Sequence, residues 1–152
     1  MTDSRVRVGY AGGVFDLFHV GHLNVLRTSK AHCDFLVAGV MADDLASTAK
    51  GIEPFVPQEE RLAIVSAITH VDLAVIEDEP DKAVTYAKYG ITHVFKGDDW
   101  KGTAKGDKLE AICSRMGIEL VYLPYTVHTS STMLRRALEV ATRPDGRGEV
   151  AS

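Results

Sequence analysis

Cysteine is scarce in this sequence, which contains only Cys33 and Cys113 among its 152 residues. The two lie far apart and form no CxxC pair. The sequence therefore has neither the pattern of a zinc ribbon nor that of a disulfide-dense secreted scaffold. We expect both cysteines to be small residues of the protein core.

Long hydrophobic runs and an excess of positive charge are also missing. No stretch approaches the roughly 18 uncharged apolar residues of a membrane span, and the opening MTDSRVRVGYAGG lacks the apolar core of a signal peptide. We therefore predict a cytoplasmic location. The formal net charge is -4, which argues against nucleic acid or an anionic membrane as a partner. Any phosphate must be bound by a local site.

Strand-like and helix-like segments alternate along the chain. The length suits one domain, predicted over residues 1–142 and followed by a flexible polar tail, 143–152 (RPDGRGEVAS). The predicted strands are Val6–Ala11, Asp34–Met41, Val71–Ile76, Thr92–Lys96 and Glu119–Leu123. The predicted helices are Gly21–Ala31, Asp43 or Asp44 to Lys50, Pro57–Ile68, Asp81–Tyr89, Lys108–Met116 and Ser130–Val140. This order predicts an α/β fold with a doubly wound, parallel, five-stranded sheet. Since DFLVAGVM (34–41) is nearly all apolar, we expect it to form the central strand.

The stretch GGVFDLFHVGH, residues 12–22, joins the first predicted strand to the first predicted helix. Gly12 and Gly13 let the backbone approach a bulky ligand or adopt a positive φ, and the helix start directs free N–H groups to the same place. His19 and His22 are three residues apart, so one helix face presents both rings. These features together predict an anion site.

An HxxH pair has other interpretations when it is taken alone. The two histidines could be capping or surface residues. They could also bind zinc, although no cysteine or carboxylate stands nearby at the spacing of a tetrahedral site.

Four segments, in order, resemble the HxGH nucleotidyltransferase superfamily. FDLFHVGH (15–22) resembles the HxGH signature, and KGIEPFVPQEER (50–61) resembles the lysine-bearing loop and the helix after it. FKGDDWKG (95–102) resembles the GDDW segment of the glycerol-3-phosphate cytidylyltransferases, and TSSTMLR (129–135) resembles the start of the last helix. The resemblance extends from about residue 6 to 140 and implies a Rossmann-like fold of the nucleotidyltransferase type.

The resemblance also implies an activity, namely transfer of CMP from CTP to a phosphorylated alcohol. Glycerol 3-phosphate is the expected acceptor, and CDP-glycerol and pyrophosphate are the expected products. The implied catalytic residues are His19, His22 and Lys50. The implied nucleotide-binding residues are Gly12, Gly13, Val14, Phe15, Asp98, Asp99, Thr129, Ser130, Ser131 and Thr132. Mg²⁺ would bind through the substrate phosphates without a protein ligand, and the protein would be a homodimer.

The segment after the last predicted strand departs from the pattern of the family in a way that bears on both the nucleotide and the acceptor. The cytidylyltransferases that this chain resembles have RTEGIST where it reads YTVHTSST, so Tyr125 replaces an arginine that could bind base or phosphate bidentately. His128 could supply part of that function. We assign Lys50, Arg61, Tyr125 and His128 to substrate binding, while an exposed salt bridge remains an alternative for Arg61. Asp16 either orients His19 or forms a cap or turn.

Two rival functions remain open from the sequence. The SST ending and the KGxxPxxPxxxR loop also resemble adenylyltransferases, including FAD synthetases, which would use ATP. A nucleotide-binding sensor without turnover is the other rival. Retention of His19, His22 and Lys50 argues against a sensor.

Overall fold

The sheet of this protein has five strands in the part of the chain that the computed structural model describes, residues 5–124 and 130–143. The strands are β1 (Val8–Gly13), β2 (Phe35–Met41), β3 (Leu73–Glu77), β4 (His93–Gly97) and β5 (Glu119–Leu123). Every neighbouring pair is parallel, and the order is β3-β2-β1-β4-β5. The predicted Rossmann-like α/β fold is therefore confirmed.

The central strand is β1, which corrects the prediction that residues 34–41 lie in the middle. β2 lies beside it, pairing from Val8 with Phe35 to Gly13 with Val40. Leu36, Val37, Ala38 and Val40 are at most 1% exposed. An apolar run therefore reports that a strand is covered on both faces, but any interior strand of a parallel sheet meets that condition.

Six helices surround the sheet within the described residues. They are α1 (Val20–Ala31), α2 (Asp43–Lys50), α3 (Gln58–Ser66), α4 (Lys82–Lys88), α5 (Ala104–Met116) and α6 (Ser131–Ala141). None of the helices in these ranges is long and apolar enough to cross a bilayer.

The start of α5 and the turn before it differ from the prediction. Asp98–Trp100 form a 3₁₀ turn, and α5 begins at Ala104, with the Thr103 hydroxyl accepting from the N–H of Gly106 as its cap. Gly106 is required there, because a Cβ would lie 2.0 Å from the carbonyl oxygen of Trp100. The sequence DDWKGTAKG indicates a loop, because the glycines on either side of Thr103 obscure its role as the helix cap.

Two hydrophobic clusters pack against the sheet and hold its strand ends in place. One contains Leu36 and Phe95, and the other contains Tyr10 and Val94. Gly39 of β2 lies under the ring of Tyr10, where an added Cβ would be 1.9 Å from the phenol oxygen. The chain leaves β1 towards β2 in one direction and towards β4 in the other, so the carboxyl ends of β1 and β4 form the switch point where ligands bind in such sheets.

Candidate active site

A pocket of about 370 Å³ opens at the carboxyl ends of β1 and β4. Its walls come from the β1–α1 loop, the end of α2, the end of β4 with the 3₁₀ turn, and the start of α6. The predicted site residues that line it are Gly12, Gly13, Val14, Phe15, His19, His22, Lys50, Asp99, Ser130, Ser131 and Thr132. Tyr125, His128 and Thr129 lie outside the described residues, as does nearly all of the predicted tail.

The two histidines form the cap of α1. His19 Nδ1 accepts a hydrogen bond from the N–H of Gly21 at 3.0 Å, and His22 Nδ1 accepts from the N–H of His19 at 3.2 Å. A neutral imidazole whose Nδ1 accepts carries its proton on Nε2. The two rings are 4.1 Å apart between centroids, so the backbone presents two Nε2–H donors side by side.

Burial keeps both rings neutral. Removal from water lowers the pKa of His19, and it lowers the pKa of His22 to about 4, with the neighbouring His19 adding to the effect. The carboxylate of Asp16 opposes this shift at His22. At neutral pH the pair therefore donates hydrogen bonds without placing two charges against each other.

The turn before the histidines is formed by non-glycine residues. Phe15 and Leu17 have φ values of 56° and 52°, whereas Gly12 and Gly13 lie in β1 without a positive φ. Of the two predicted roles for these glycines, close approach of the backbone is the one that fits. Left-handed φ at bulky residues is uncommon and costs energy, and such strain clusters at binding sites.

Asp16 ties three segments of the chain together. Its carboxylate accepts from the N–H groups of Phe55 and Val56 at 2.9 and 3.0 Å and from Arg135 at 2.5 Å. Its backbone carbonyl accepts from the Ser131 hydroxyl at 2.8 Å. Asp16 is 2% exposed, so its side chain fixes the β1–α1 loop against the α2–α3 loop and α6.

Arg61 does not line the pocket, which corrects its assignment to substrate binding. The side chain is fully buried, and its guanidinium donates to the carbonyls of Val14, Met41 and Val56 and to Asp43. All of these acceptors are protein oxygens at 2.5–2.8 Å. Arg61 therefore positions the loop that carries Val14, and neither a phosphate contact nor an exposed salt bridge describes it.

Asp98 is a second correction, because only Asp99 of the pair lines the pocket. A 3₁₀ turn has three residues per turn, so consecutive side chains point about 120° apart. Asp98 is exposed outside the pocket. Trp100, the third residue of the turn, also contributes to the wall.

The start of α6 forms the wall next to the histidines. Ser130 caps the helix by accepting from the N–H of Met133, and Ser131 Oγ lies 3.4 Å from His22 Nε2. The Ser131 hydroxyl donates to Asp16, and its distance of 3.4 Å from His22 Nε2 exceeds that of a good N–H···O hydrogen bond, so the His22 N–H stays available to a ligand. Free N–H groups at this helix start are suited to an anion.

Lysines form the opposite wall. Lys50 ends α2, and burial together with the nearby Lys82 and Lys105 lowers its pKa. Lys96, which was not predicted as a site residue, donates to the carbonyl of Gly12 at 3.3 Å and lies 4.0 Å from the centroid of the Trp100 ring. Its position at the carboxyl end of a predicted strand, just before GDDW, was the signal available in the sequence.

The described ranges contain no group of three or more histidine, cysteine or acidic side chains arranged to hold a metal ion. Two carboxylates line the pocket, and Asp16 is occupied by Arg135 and backbone N–H groups. Asp99 remains. Such a donor set fits Mg²⁺ carried in by phosphates, since that ion binds through one or two carboxylates and keeps several waters.

A parallel sheet with neutral imidazole donors, a capped helix start and lysines around one pocket is the arrangement of an α/β protein of the nucleotidyltransferase type. Residues 10–137 match the family described as cytidylyltransferase-like. The chain belongs to this family, as the four sequence motifs predicted.

The names of relatives within the family point to different substrates or products. The probable ethanolamine-phosphate cytidylyltransferase of Encephalitozoon cuniculi is 36% identical over 120 residues, which are 78% of this chain and 37% of that protein. The glycerol-3-phosphate cytidylyltransferase of Bacillus spizizenii is 32% identical over 82% of this chain and 91% of its own length. The FAD synthase of Pyrococcus abyssi is 29% identical over 90% and 95%. This chain therefore spans little more than a third of the first relative and nearly all of the other two.

A solved structure supports the fold over the same region. The lipopolysaccharide core biosynthesis protein of Thermoplasma volcanium superimposes with a TM-score of 0.69 at 28% identity, covering 82% of this chain and all of that one.

Proposed function

We propose that this protein transfers CMP from CTP to the phosphate of a small phosphorylated alcohol of the glycerol 3-phosphate type. An oxygen of the acceptor phosphate attacks the α-phosphorus of the nucleotide and forms a new O–P bond. The bond from the α-phosphorus to the oxygen that bridges to the β-phosphate breaks, and pyrophosphate leaves with that electron pair. A CDP-alcohol remains.

This reaction needs no nucleophile from the protein. A phosphomonoester is already largely ionised near neutral pH, so catalysis consists of aligning two anionic reactants and stabilising the charge that develops on the leaving group. The pocket offers polar groups suited to this task from three sides: α1, α6 and α2.

The observation that carries the proposal is the orientation of the histidine pair. Both Nδ1 atoms are held by backbone N–H groups, so both Nε2–H donors are fixed in direction before a substrate binds. Fixed donors lose little energy to reorganisation when charge builds up in the transition state. His19 and His22 would donate to the triphosphate, and the N–H groups at the start of α6 would hold its other oxygens.

Lys50 would stabilise the transferred phosphoryl group or the acceptor phosphate. Lys50 is the last residue of α2, and its side chain is partly buried. Gly51, the next residue, adopts a left-handed φ of 63° and ends the helix. Mg²⁺ bound to the phosphates would neutralise part of their charge, and Asp99, the second carboxylate of the pocket, would be the side chain available to such an ion or to its water.

An ATP-dependent adenylyl transfer is the second candidate. The FAD synthase of Pyrococcus abyssi aligns with nearly the whole chain, and Tyr125 stands where the cytidylyltransferase motif has arginine. Asp99 and Trp100 in the pocket wall favour CTP, because they belong to the segment that resembles the glycerol-3-phosphate cytidylyltransferases.

Pyrophosphate release from the full chain tests these alternatives. CTP and ATP are each offered with glycerol 3-phosphate, phosphoethanolamine, phosphocholine, inositol phosphate and FMN. We expect turnover with CTP and a glycerol-type phosphate. Turnover only with ATP would select adenylyl transfer, and nucleotide binding without turnover would select a sensor. Sedimentation of the same sample tests the proposed homodimer.

A further inference from the structure

A small recess extends from the active-site pocket below the ends of β1 and β4, and we call it the lysine recess. Its polar side chains are Lys50, Lys82, Lys96, Glu77 and Tyr10. Lys50 and Lys96 also line the main pocket, so the two spaces meet at these side chains. A molecule bound in the main pocket would therefore place a substituent beside the recess, next to these two flexible side chains.

Positive charge in the lysine recess exceeds negative charge. Lys50, Lys82 and Lys96 are partly buried, and no carboxylate forms an ion pair with any of them in the described part of the chain. Burial lowers the pKa of all three ammonium groups, to about 7 for Lys96, and neighbouring lysines add to the effect for Lys50 and Lys96. Burial of like charges costs energy unless a ligand of opposite charge completes the site.

Glu77, the carboxylate of the recess, is already occupied by neutral donors. Its oxygens accept from the Tyr10 hydroxyl at 2.6 Å, the Thr85 hydroxyl at 2.8 Å and the N–H of Glu79 at 3.2 Å. The residue is 8% exposed. One carboxylate held in this way leaves a net positive charge among three lysines.

The position of Lys82 adds to this cost. Lys82 is the first residue of α4, after the Asp81 cap, and a cation in the first turn of a helix opposes the helix dipole. Helix stability does not account for a lysine here, and Glu77, the described carboxylate that attracts it, is already held by three neutral donors. An anion bound in the recess would account for it.

The recess is small, at about 20 Å³. A space of roughly 10–15 Å³ holds one water molecule, so the recess has room for one or two water-sized atoms, such as the oxygens of a carboxylate, and excludes a sugar or a base. The triphosphate has its own donors at the histidine pair and the start of α6. The acceptor phosphate must reach the α-phosphorus in the main pocket, where Lys50 can bind it. The remaining anionic group that could occupy the recess is a substituent of the acceptor.

We propose that the lysine recess binds a carboxylate of the acceptor, so that the preferred acceptor is a phosphomonoester of a small hydroxy acid. This inference rests on the proposed nucleotidyl transfer and narrows its acceptor. Lys82 and Lys96 are the residues that select it. An acceptor with an ammonium group, such as phosphoethanolamine, would place a cation against three lysines and is disfavoured.

Two acceptors that differ at one group test the proposal. In 3-phosphoglycerate a carboxylate replaces the terminal hydroxymethyl group of glycerol 3-phosphate. With the nucleotide that supports turnover, we expect kcat/KM for 3-phosphoglycerate to be higher by about 10- to 100-fold, the range of a charge-assisted hydrogen bond. Equal values, or a preference for glycerol 3-phosphate, would overturn the proposal and leave nucleotidyl transfer standing.

Lys82→Met should remove this preference by raising KM for 3-phosphoglycerate, while KM for glycerol 3-phosphate and the Kd of the nucleotide stay within about twofold. Lys82→Arg, which keeps the charge, should retain most of it. Lys88→Met is the matched control, because Lys88 is an exposed residue of the same helix. A rise in nucleotide Kd for Lys82→Met would show that the recess serves the triphosphate instead.

Binding measurements keep the inference testable if nucleotidyl transfer itself fails. Calorimetry of the full chain with each acceptor, in the presence of a non-hydrolysable nucleotide, should give tighter binding of 3-phosphoglycerate, and Lys82→Met should abolish the difference. Turnover of neither acceptor together with this binding preference would contradict the proposed function alone. Equal binding of both acceptors would contradict the carboxylate site.

Discussion

Two cations near the end of β1, Arg61 and Lys96, have opposite surroundings. The guanidinium of Arg61 has four oxygens of the protein around it and is fully buried. The ammonium of Lys96 has one carbonyl and the face of an aromatic ring. The protein itself therefore supplies all the partners of Arg61. Lys96 forms no ion pair among the described residues, and Asp99 is the carboxylate whose charge acts on it.

This difference divides the site into a frame and a pocket wall. The frame consists of Asp16, Arg61 and Arg135, whose charged groups bond to one another or to loop backbone. The pocket wall consists of His19, His22 and the lysines, whose donors face a space large enough for a ligand. Substitutions in the frame should lower stability, whereas substitutions in the wall should lower turnover.

Arg61→Met should have the largest effect, because it leaves three carbonyls and the Asp43 carboxylate without their donor. We expect the free energy of unfolding to fall by about 3–5 kcal/mol, because each of the three carbonyls left without a donor costs about 1–3 kcal/mol. Urea denaturation followed by circular dichroism measures this. Glu59→Met, at an exposed position of the same helix, is the control. A loss below about 1 kcal/mol would mean that Arg61 does not hold the frame.

His19→Ala should lower kcat by at least about 100-fold without comparable loss of stability, since a donor aligned with the developing charge contributes on that scale. Its cap bond to Gly21 is one of several in the loop, so the chain should still fold. Turnover under saturating CTP and a denaturation curve of the same sample measure both quantities. Unchanged kcat would remove His19 from the chemistry.

The fold was largely predictable from local signals. Glycines after helices and acids or hydroxyl residues before them mark most element ends, as at Gly117 and Asp81, and alternation then dictates a parallel sheet. The order of the strands was not predictable from apolar content, because β1 and β2 are both covered on two faces. The 3₁₀ turn was not predicted, because its packing depends on Gly106. A glycine is needed at this position to leave room for the carbonyl oxygen of Trp100, and the helix that contains Gly106 gives no sign of this.

The site was predictable where its residues lie close in sequence. His19 and His22 cap one helix, and their spacing alone places both rings on one face. The frame was not predictable, because Asp16 bonds to Phe55 and to Arg135, 39 and 119 residues away. Lys82 follows β3, and Lys96 lies near the end of β4. The two come together only because the strands of a parallel sheet all end at the same edge.

Lys50→Ala should lower kcat by about tenfold or more and leave the Kd of the nucleotide nearly unchanged, since a cation over the transferred phosphoryl group acts mainly in the transition state. Its loss also removes one of the three charges of the recess, so the fold should tolerate it. Steady-state kinetics and nucleotide titration measure the two constants, with Lys88→Ala as control. Equal losses in both constants would place Lys50 in ground-state binding.

The pH dependence of stability should show that His22 belongs partly to the frame. Its pKa of about 4 lies below the usual value of 6.5, so the folded state favours the neutral ring. The resulting stability is complete above about pH 6.5 and is lost progressively as the pH falls towards 4. Between pH 7 and 5.5 we expect His22 to account for a loss of about 1 kcal/mol. Urea denaturation at both values measures it, and His22→Asn, which keeps an acceptor for the N–H of His19, should show a loss smaller by that amount. If the free energy of unfolding changes equally with pH in the variant and the wild type, the prediction is wrong. The protonated ring would then be solvated in the pocket, away from its contacts with Ser131 and Phe15.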